Sequence, residues 1–208
     1  MDALDRLALR LRALPPSCGP VRLIAVDGHA GSGKSTFTTG LAAALGGPDG
    51  GGVAVLHLDD LASHAELFDW TDRMFAQVIT PLSAGETARY APYDWVGRRF
   101  TAPRALPPAP VVLVEGVGAG RRALRPHLAA LFWMERSADA SWQRGRRRDG
   151  DGLADFWNRW TVAEVRHFAA DPTRPFADAL VRECPEGYEV LPGLSATAGP
   201  NQIVTLGD

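Results

Sequence analysis

The sequence predicts an α/β fold, a three-layer sandwich in which a five-stranded parallel sheet carries helices on both faces. Three observations predict it. Short apolar runs alternate with segments of helical period, the pattern of strand–helix–strand units. The run Val111-Val112-Leu113-Val114 has no polar member, as a strand buried on both faces requires. Between the apolar run Val21 to Val26 and a helical pattern (Phe37, Leu41, Ala44, Leu45) stands Gly28-His29-Ala30-Gly31-Ser32-Gly33-Lys34-Ser35, followed by Thr36. It fits G-x-x-x-x-G-K-[ST], the phosphate-binding P-loop. That flanking context narrows the fold to the P-loop NTPase class.

At 208 residues the chain fits one domain, 1–208, large enough to bury a proper core. Apolar content of 46% and a net charge of −2 give no basic field to attract nucleic acid or an anionic membrane. Cys18 and Cys184 are too few for a disulfide framework, which suits a reduced compartment. The leucines near the N-terminus are interspersed with Asp2, Asp5, Arg6, Arg10 and Arg12, so no signal peptide is read there. No apolar run approaches the ~20 residues of a membrane span. A cytoplasmic protein is the expectation.

The elements follow in order. Leu4, Leu7, Leu11 and Leu14 share a helical face, with Asp early and Arg late to suit the dipole, and Pro15-Pro16 stops the helix. This helix either packs on the sheet or serves a partner. Strand one, Val21–Asp27, leads into the P-loop and its helix, to about Leu45. Gly46 to Gly52 is a flexible connection. Strand two, Val53 to Leu58, delivers Asp59-Asp60, and a helix follows from Trp70 to Ile79, ended near Pro81. Residues 82–110 read as loop-rich, with Tyr90, Tyr93, Asp94, Trp95, Arg98 and Arg99 concentrated there. Strand three, Val111–Val114, ends in Glu115-Gly116, and Leu131–Met134 is strand four. A basic run, Arg144 to Asp151, precedes a helix from Leu153 to about Ala169 that carries Trp157, Trp160 and Val165. The last of the five strands lies around Ala179–Val181; the tail from 187 to 208 could add a terminal strand at Gln202–Leu206.

The chemistry concentrates where strands end, because open α/β sheets bind ligands at the carboxyl ends of their strands. Asp27, Asp59, Asp60 and Glu115 all fall at such ends. The amides of residues 28–36 and the helix N-terminus suit phosphate oxygens. Lys34 would reach the β- and γ-phosphates, and Ser35 would ligate Mg²⁺. Lys34 is the only lysine beside 21 arginines, which suggests that a compact ammonium is needed there. Asp59 or Asp60 could hold the metal or accept a proton, or merely cap a helix. Glu115 closes an apolar strand, where a carboxylate needs a partner: the metal, or an ion pair. The Arg144–Asp149 run reads as a lid, about 144–155, whose Arg144 and Arg148 offset phosphoryl charge; the alternative is a solvated basic face. Arg98 and Arg99 either bind an acceptor or face solvent. His29 occupies a permissive position of the motif.

Beyond the P-loop, four segments resemble the uridine kinase family of P-loop small-molecule kinases. Leu58-Asp59-Asp60-Leu61 resembles the family's Asp-x-Phe-Tyr, and Pro92-Tyr93-Asp94-Trp95 its Tyr-Asp-Phe. Val114-Glu115-Gly116 resembles Phe-Glu-Gly, and Pro172 to Asp178 resembles Pro-Thr-x-x-Tyr-Ala-Asp. The resemblance covers roughly residues 21–182. It implies that Asp59 is the catalytic base, that Glu115 helps hold Mg²⁺, and that Tyr93-Asp94-Trp95 lies on the nucleoside side; Asp60 and Arg98 are the further acceptor candidates, and Ser35 and Asp59 the further metal candidates. Leu61-Ala62 departs from the family's Phe-Tyr, and Asp149-Gly150-Asp151-Gly152-Leu153 from its lid. Residues 24–36 also resemble cytidylate kinases, a likeness that ends at the P-loop helix. The expectation is an ATP- and Mg²⁺-dependent kinase acting on a hydroxyl of a small acceptor, with a uridine- or cytidine-like nucleoside foremost. A monophosphate kinase and a P-loop ATPase or switch are the alternatives.

Overall fold

In the computed structural model, residues 2–47 and 52–194 are described. The first half runs α1 (Ala3–Ala13), β1 (Arg22–Asp27), α2 (Lys34–Ala44), β2 (Val53–His57), α3 (Thr71–Met74), a π-helical segment Phe75–Ile79 and α4 (Thr80–Ser83). Four short strands follow: β3 (Ala88–Tyr90), β4 (Tyr93–Asp94), β5 (Arg99–Phe100) and β6 (Arg104–Leu106). The second half holds β7 (Val111–Glu115), β8 (Ala130–Met134), α5 (Ala138–Asp149), α6 (Ala154–Ala170), β9 (Ala179–Cys184) and β10 (Gly187–Pro192).

The main sheet has six strands in the order β10-β9-β8-β1-β7-β2. All neighbours are parallel except β9 and β10. Burial on both faces explains the unbroken apolar runs. Leu23 and Ala25 of β1 join one core with Val112 and Val114 of β7. Ile24 and Val26 join the opposite core with Val111 and Leu113. The second core also takes Phe37 and Leu41 of α2 and Leu7, Ala8 and Leu11 of α1, so α1 packs on the sheet layer. Asp2 and Asp5 form a capping box at its start. Cys18 and Cys184 are free thiols. Among the described residues no helix is long and apolar enough to cross a membrane.

Three expectations are corrected. The sheet has six strands, not five, because β10 returns antiparallel through the two-residue turn Pro185-Glu186, which pairs Cys184 with Gly187. Half-buried residues such as Tyr188 and Val190 alternate there with exposed ones, the pattern of an edge strand. The strand proposed at Gln202–Leu206 lies outside the described residues. The helix expected to stop near Pro81 continues to Ser83. It widens into the π segment just before the proline, which relieves the ring's clash and the missing N–H. Residues 82–110 hold two small hairpins, β3 with β6 and β4 with β5. Strands of two or three residues are too short to show a period.

Candidate active site

The P-loop bends between β1 and α2, with Gly28, Gly31 and Gly33 at positive φ. At Gly31 a Cβ would fall 2.1 Å from the Ser141 carbonyl oxygen, so the loop needs glycine both for its turn and for the close approach of α5. Lys34, at the start of α2, is 7% exposed, and its Nζ donates to the carbonyls of Gly28 (2.9 Å) and His29 (3.0 Å). A cavity of about 360 Å³ opens over the loop, bounded by Lys34, Ser35, Asp59, Glu115, Arg144 and Arg148 among others.

Two strand ends supply its acids. Glu115, 6% exposed at the end of β7, accepts from Ser35 Oγ (3.0 Å) and bonds His57 Nδ1 (2.5 Å). Burial works to raise its pKa. The His57 hydrogen bond, the Lys34 and His57 charges and the Ser35 hydroxyl outweigh burial and hold the carboxyl below its usual range. His57 is the ion-pair partner foreseen as the alternative to a metal, and its own pKa is raised, chiefly by that bond. Asp59 follows β2 in a turn of 3₁₀ helix, Leu58–Asp60. It is exposed on the cleft wall. Desolvation by the protein around it, and then the Glu115 charge, push its pKa up against the pull of Lys34 and His57. Ser35, Glu115 and Asp59 present hard oxygens to one cavity, and no group of three His, Cys, Asp or Glu among the described residues forms a metal cage. This donor set fits Mg²⁺, which keeps its waters and takes one or two carboxylates with substrate phosphates.

A second cavity, of about 290 Å³, shares Ala30, Asp59, Arg148 and Trp160 with the first. The rings of His64, Trp95, Phe156 and Trp157 line it, with Val96 and Leu153 beside them. Trp95 donates from Nε1 to the Asp59 carbonyl (3.0 Å), tying the β4–β5 hairpin to the end of β2. Tyr93 stands behind this wall, its hydroxyl 3.0 Å from His64 Nδ1. Asp60 is turned to the other hairpin, accepting from the Tyr90 hydroxyl (3.2 Å) near Arg104. Arg98, at the hairpin tip with φ 51°, is exposed and lines neither cavity. Of the four residues expected on the acceptor side, only Trp95 is on the cavity wall.

The arginines of the basic run lie on the last turns of α5, a helix rather than a loop. Arg144 approaches Gly33, held by Glu183 of β9 (2.7 Å), which also binds Arg136 (2.9 Å). Arg148 lines both cavities in a bidentate pair with Asp149. Asp27, expected to turn toward phosphate, is fully buried; its two oxygens accept from the amides of Gly28, Gly118 and Gly120 and from the Thr173 hydroxyl. It ties β1 to the loop after β7 and to the Pro172-Thr173 segment.

Sequence reasoning missed Glu164 and His64. Glu164 belongs to the buried face of α6 with Trp157 and Trp160, whereas Val165 is 54% exposed. Its position four residues after Trp160 and seven after Trp157 was the available signal. His29 is not at a free position either: its ring packs edge-on against Trp133, Trp142 and Phe168.

The fold is that of the uridine kinase-like P-loop kinases. A possible uridine kinase from Bacillus stearothermophilus superposes with a TM-score of 0.55 at 19% identity, over 74% of this chain and 89% of that one. A candidate fructose transport system kinase from Silicibacter sp. TM1040 gives 0.57 at 22% identity, over 80% and 89%. The YGR205w protein gives 0.50 at 9%, over 84% and 90%. At such identities the likeness carries the fold. No protein-family model matches the chain, and no curated protein does.

Proposed function

We propose that the protein is an ATP- and Mg²⁺-dependent kinase that phosphorylates a hydroxyl of a neutral, ring-bearing small molecule of the nucleoside kind. One observation carries this reading: Asp59 stands on the wall shared by the P-loop cavity and the ring-lined cavity. A carboxylate there can touch the acceptor hydroxyl and face the phosphate at once, and its raised pKa brings it closer to the range useful for a general base. The acceptor oxygen bonds to the γ-phosphorus as its proton passes to Asp59. The bond from phosphorus to the β,γ-bridging oxygen breaks, and ADP leaves. Lys34 and the loop amides hold the phosphates, and Arg144 and Arg148 offset their charge once Glu183 and Asp149 yield. Ser35 and Glu115 would hold Mg²⁺, with Asp59 beside them; the ion supplies charge neutralisation between the phosphates.

The ring-lined cavity argues against a monophosphate acceptor. Its charged groups are Asp59, Asp149 and Arg148, and Asp149 pairs with the Nε–Nη2 edge of the arginine. A phosphate on the acceptor would meet two carboxylates against one arginine on the cavity wall. The rings suit a flat base or the apolar face of a sugar. The test is ADP formation from ATP with a panel of nucleosides, nucleoside monophosphates and free sugars. The proposal expects turnover with an uncharged acceptor. Hydrolysis at full rate with no acceptor would identify an ATPase or switch instead, and turnover confined to monophosphates would remove the neutral-acceptor claim.

A further inference from the structure

Glu164 is a fully buried carboxylate in the middle of α6, among tryptophans. Such a group is costly unless every lone pair is used, and here both oxygens are. Oε1 bonds His29 Nδ1 (2.7 Å) and accepts from Trp142 Nε1 (3.0 Å). Oε2 accepts from Trp160 Nε1 (2.7 Å) and the Ala30 amide (3.2 Å). The donors come from three elements, the P-loop, α5 and α6. Two of them bear directly on the cavities, since Ala30 and Trp160 line both. A carboxylate placed only to fill the core would have no reason to grip the phosphate loop by a side chain and an amide.

We propose that Glu164, acting through His29 and Ala30, is a positioning residue that sets the first turn of the P-loop against the arginine-bearing helix α5 and the Trp160 wall. The phosphate cradle is thereby held in its binding shape before nucleotide arrives. Its bearing on phosphoryl transfer rests on the kinase reading above; its bearing on nucleotide affinity does not.

The closing experiment therefore measures ADP binding with Mg²⁺, followed by the fluorescence of the tryptophans around Glu164, at a temperature well below the unfolding transition of every variant. Glu164→Gln keeps the shape but cannot accept from all four donors. Its ADP affinity should fall on the order of tenfold, the effect of losing a charge-assisted hydrogen bond. Leu11→Ala, a cavity on the far side of the fold, should lower the melting temperature and leave ADP affinity within about twofold. His29→Ala should reproduce the loss, and the double variant should bind ADP about as weakly as either single one, because both remove one interaction. Unchanged ADP affinity in Glu164→Gln, or strictly additive losses in the double variant, would reduce Glu164 to a structural group. If Glu164→Gln fails to fold, His29→Ala alone decides: unaltered ADP affinity there overturns the proposal. An ADP loss in a protein that phosphorylates no acceptor would uphold the positioning role and count against the kinase instead.

Discussion

Lys34 shows how far a residue's type and its surroundings can part. The motif and its isolation among arginines marked it from sequence. The structure buries it against two carbonyls of its own loop. Those carbonyls suit a compact ammonium with three donors, and a planar guanidinium fork does not fit between them. Lys34→Ala and Lys34→Arg should therefore both lose phosphoryl transfer, by at least about a hundredfold, with far-UV circular dichroism unchanged. Near-normal ADP release by Lys34→Arg would refute this account of the loop. Glu164 adds a pH dependence. Burial works to raise its pKa, but the bond to His29, the Lys34 charge and the two indole donors outweigh it and hold it low. A depressed carboxyl contributes stability above the unfolded glutamate value, about 4.3, and loses it as pH falls through the folded value. The melting temperature of wild type should drop more steeply below about pH 4.3 than that of Glu164→Gln. Parallel curves would show that Glu164 titrates alike folded and unfolded.

At the scale of elements, α5 and α6 are joined more closely than the basic run suggested. A Cβ at Gly145 would fall 2.3 Å from the Trp157 ring, and one at Gly31 would meet the α5 backbone. At Gly145, inside a helix, glycine is needed for contact and not for φ. Gly145→Ala should force the helices apart and cost about 1–3 kcal/mol, read as a lower midpoint in urea. An unchanged midpoint would mean that Trp157 swings aside freely. What the sequence disclosed at this scale follows the physics of period. Doubly buried strands and the long α6 announced themselves, because five or more residues repeat one environment. The hairpins at 88–106 did not, nor did the edge strand β10, whose six residues only partly alternate. Pro81 misled because a helix can absorb a proline by widening.

At the scale of the molecule, the two halves of the candidate site differed in legibility for one reason. The phosphate half is written contiguously, in residues 28–36, and at strand ends that the sheet must bring together. The ring-lined half is assembled from the segment after β2, the hairpin tip and α6, and no spacing in the chain says which rings will meet. Tyr93 and Trp95 were both expected on it, yet only Trp95 lines it, with Tyr93 bracing His64 from behind. Trp95→Ala should raise the acceptor KM by about 5- to 150-fold, as loss of a stacking ring does. Tyr93→Ala should raise it less, because it acts through His64. The reverse order would place Tyr93, not Trp95, against the acceptor.

The central claim is that Asp59 serves both cavities as the base for phosphoryl transfer. Asp59→Asn tests it most directly, by comparing kcat for the best acceptor with the affinity for ADP in one preparation. The account predicts that kcat falls about 10²- to 10⁴-fold while ADP affinity stays within about twofold. A variant that keeps its kcat, or that loses activity only in proportion to lost ADP binding, would contradict it.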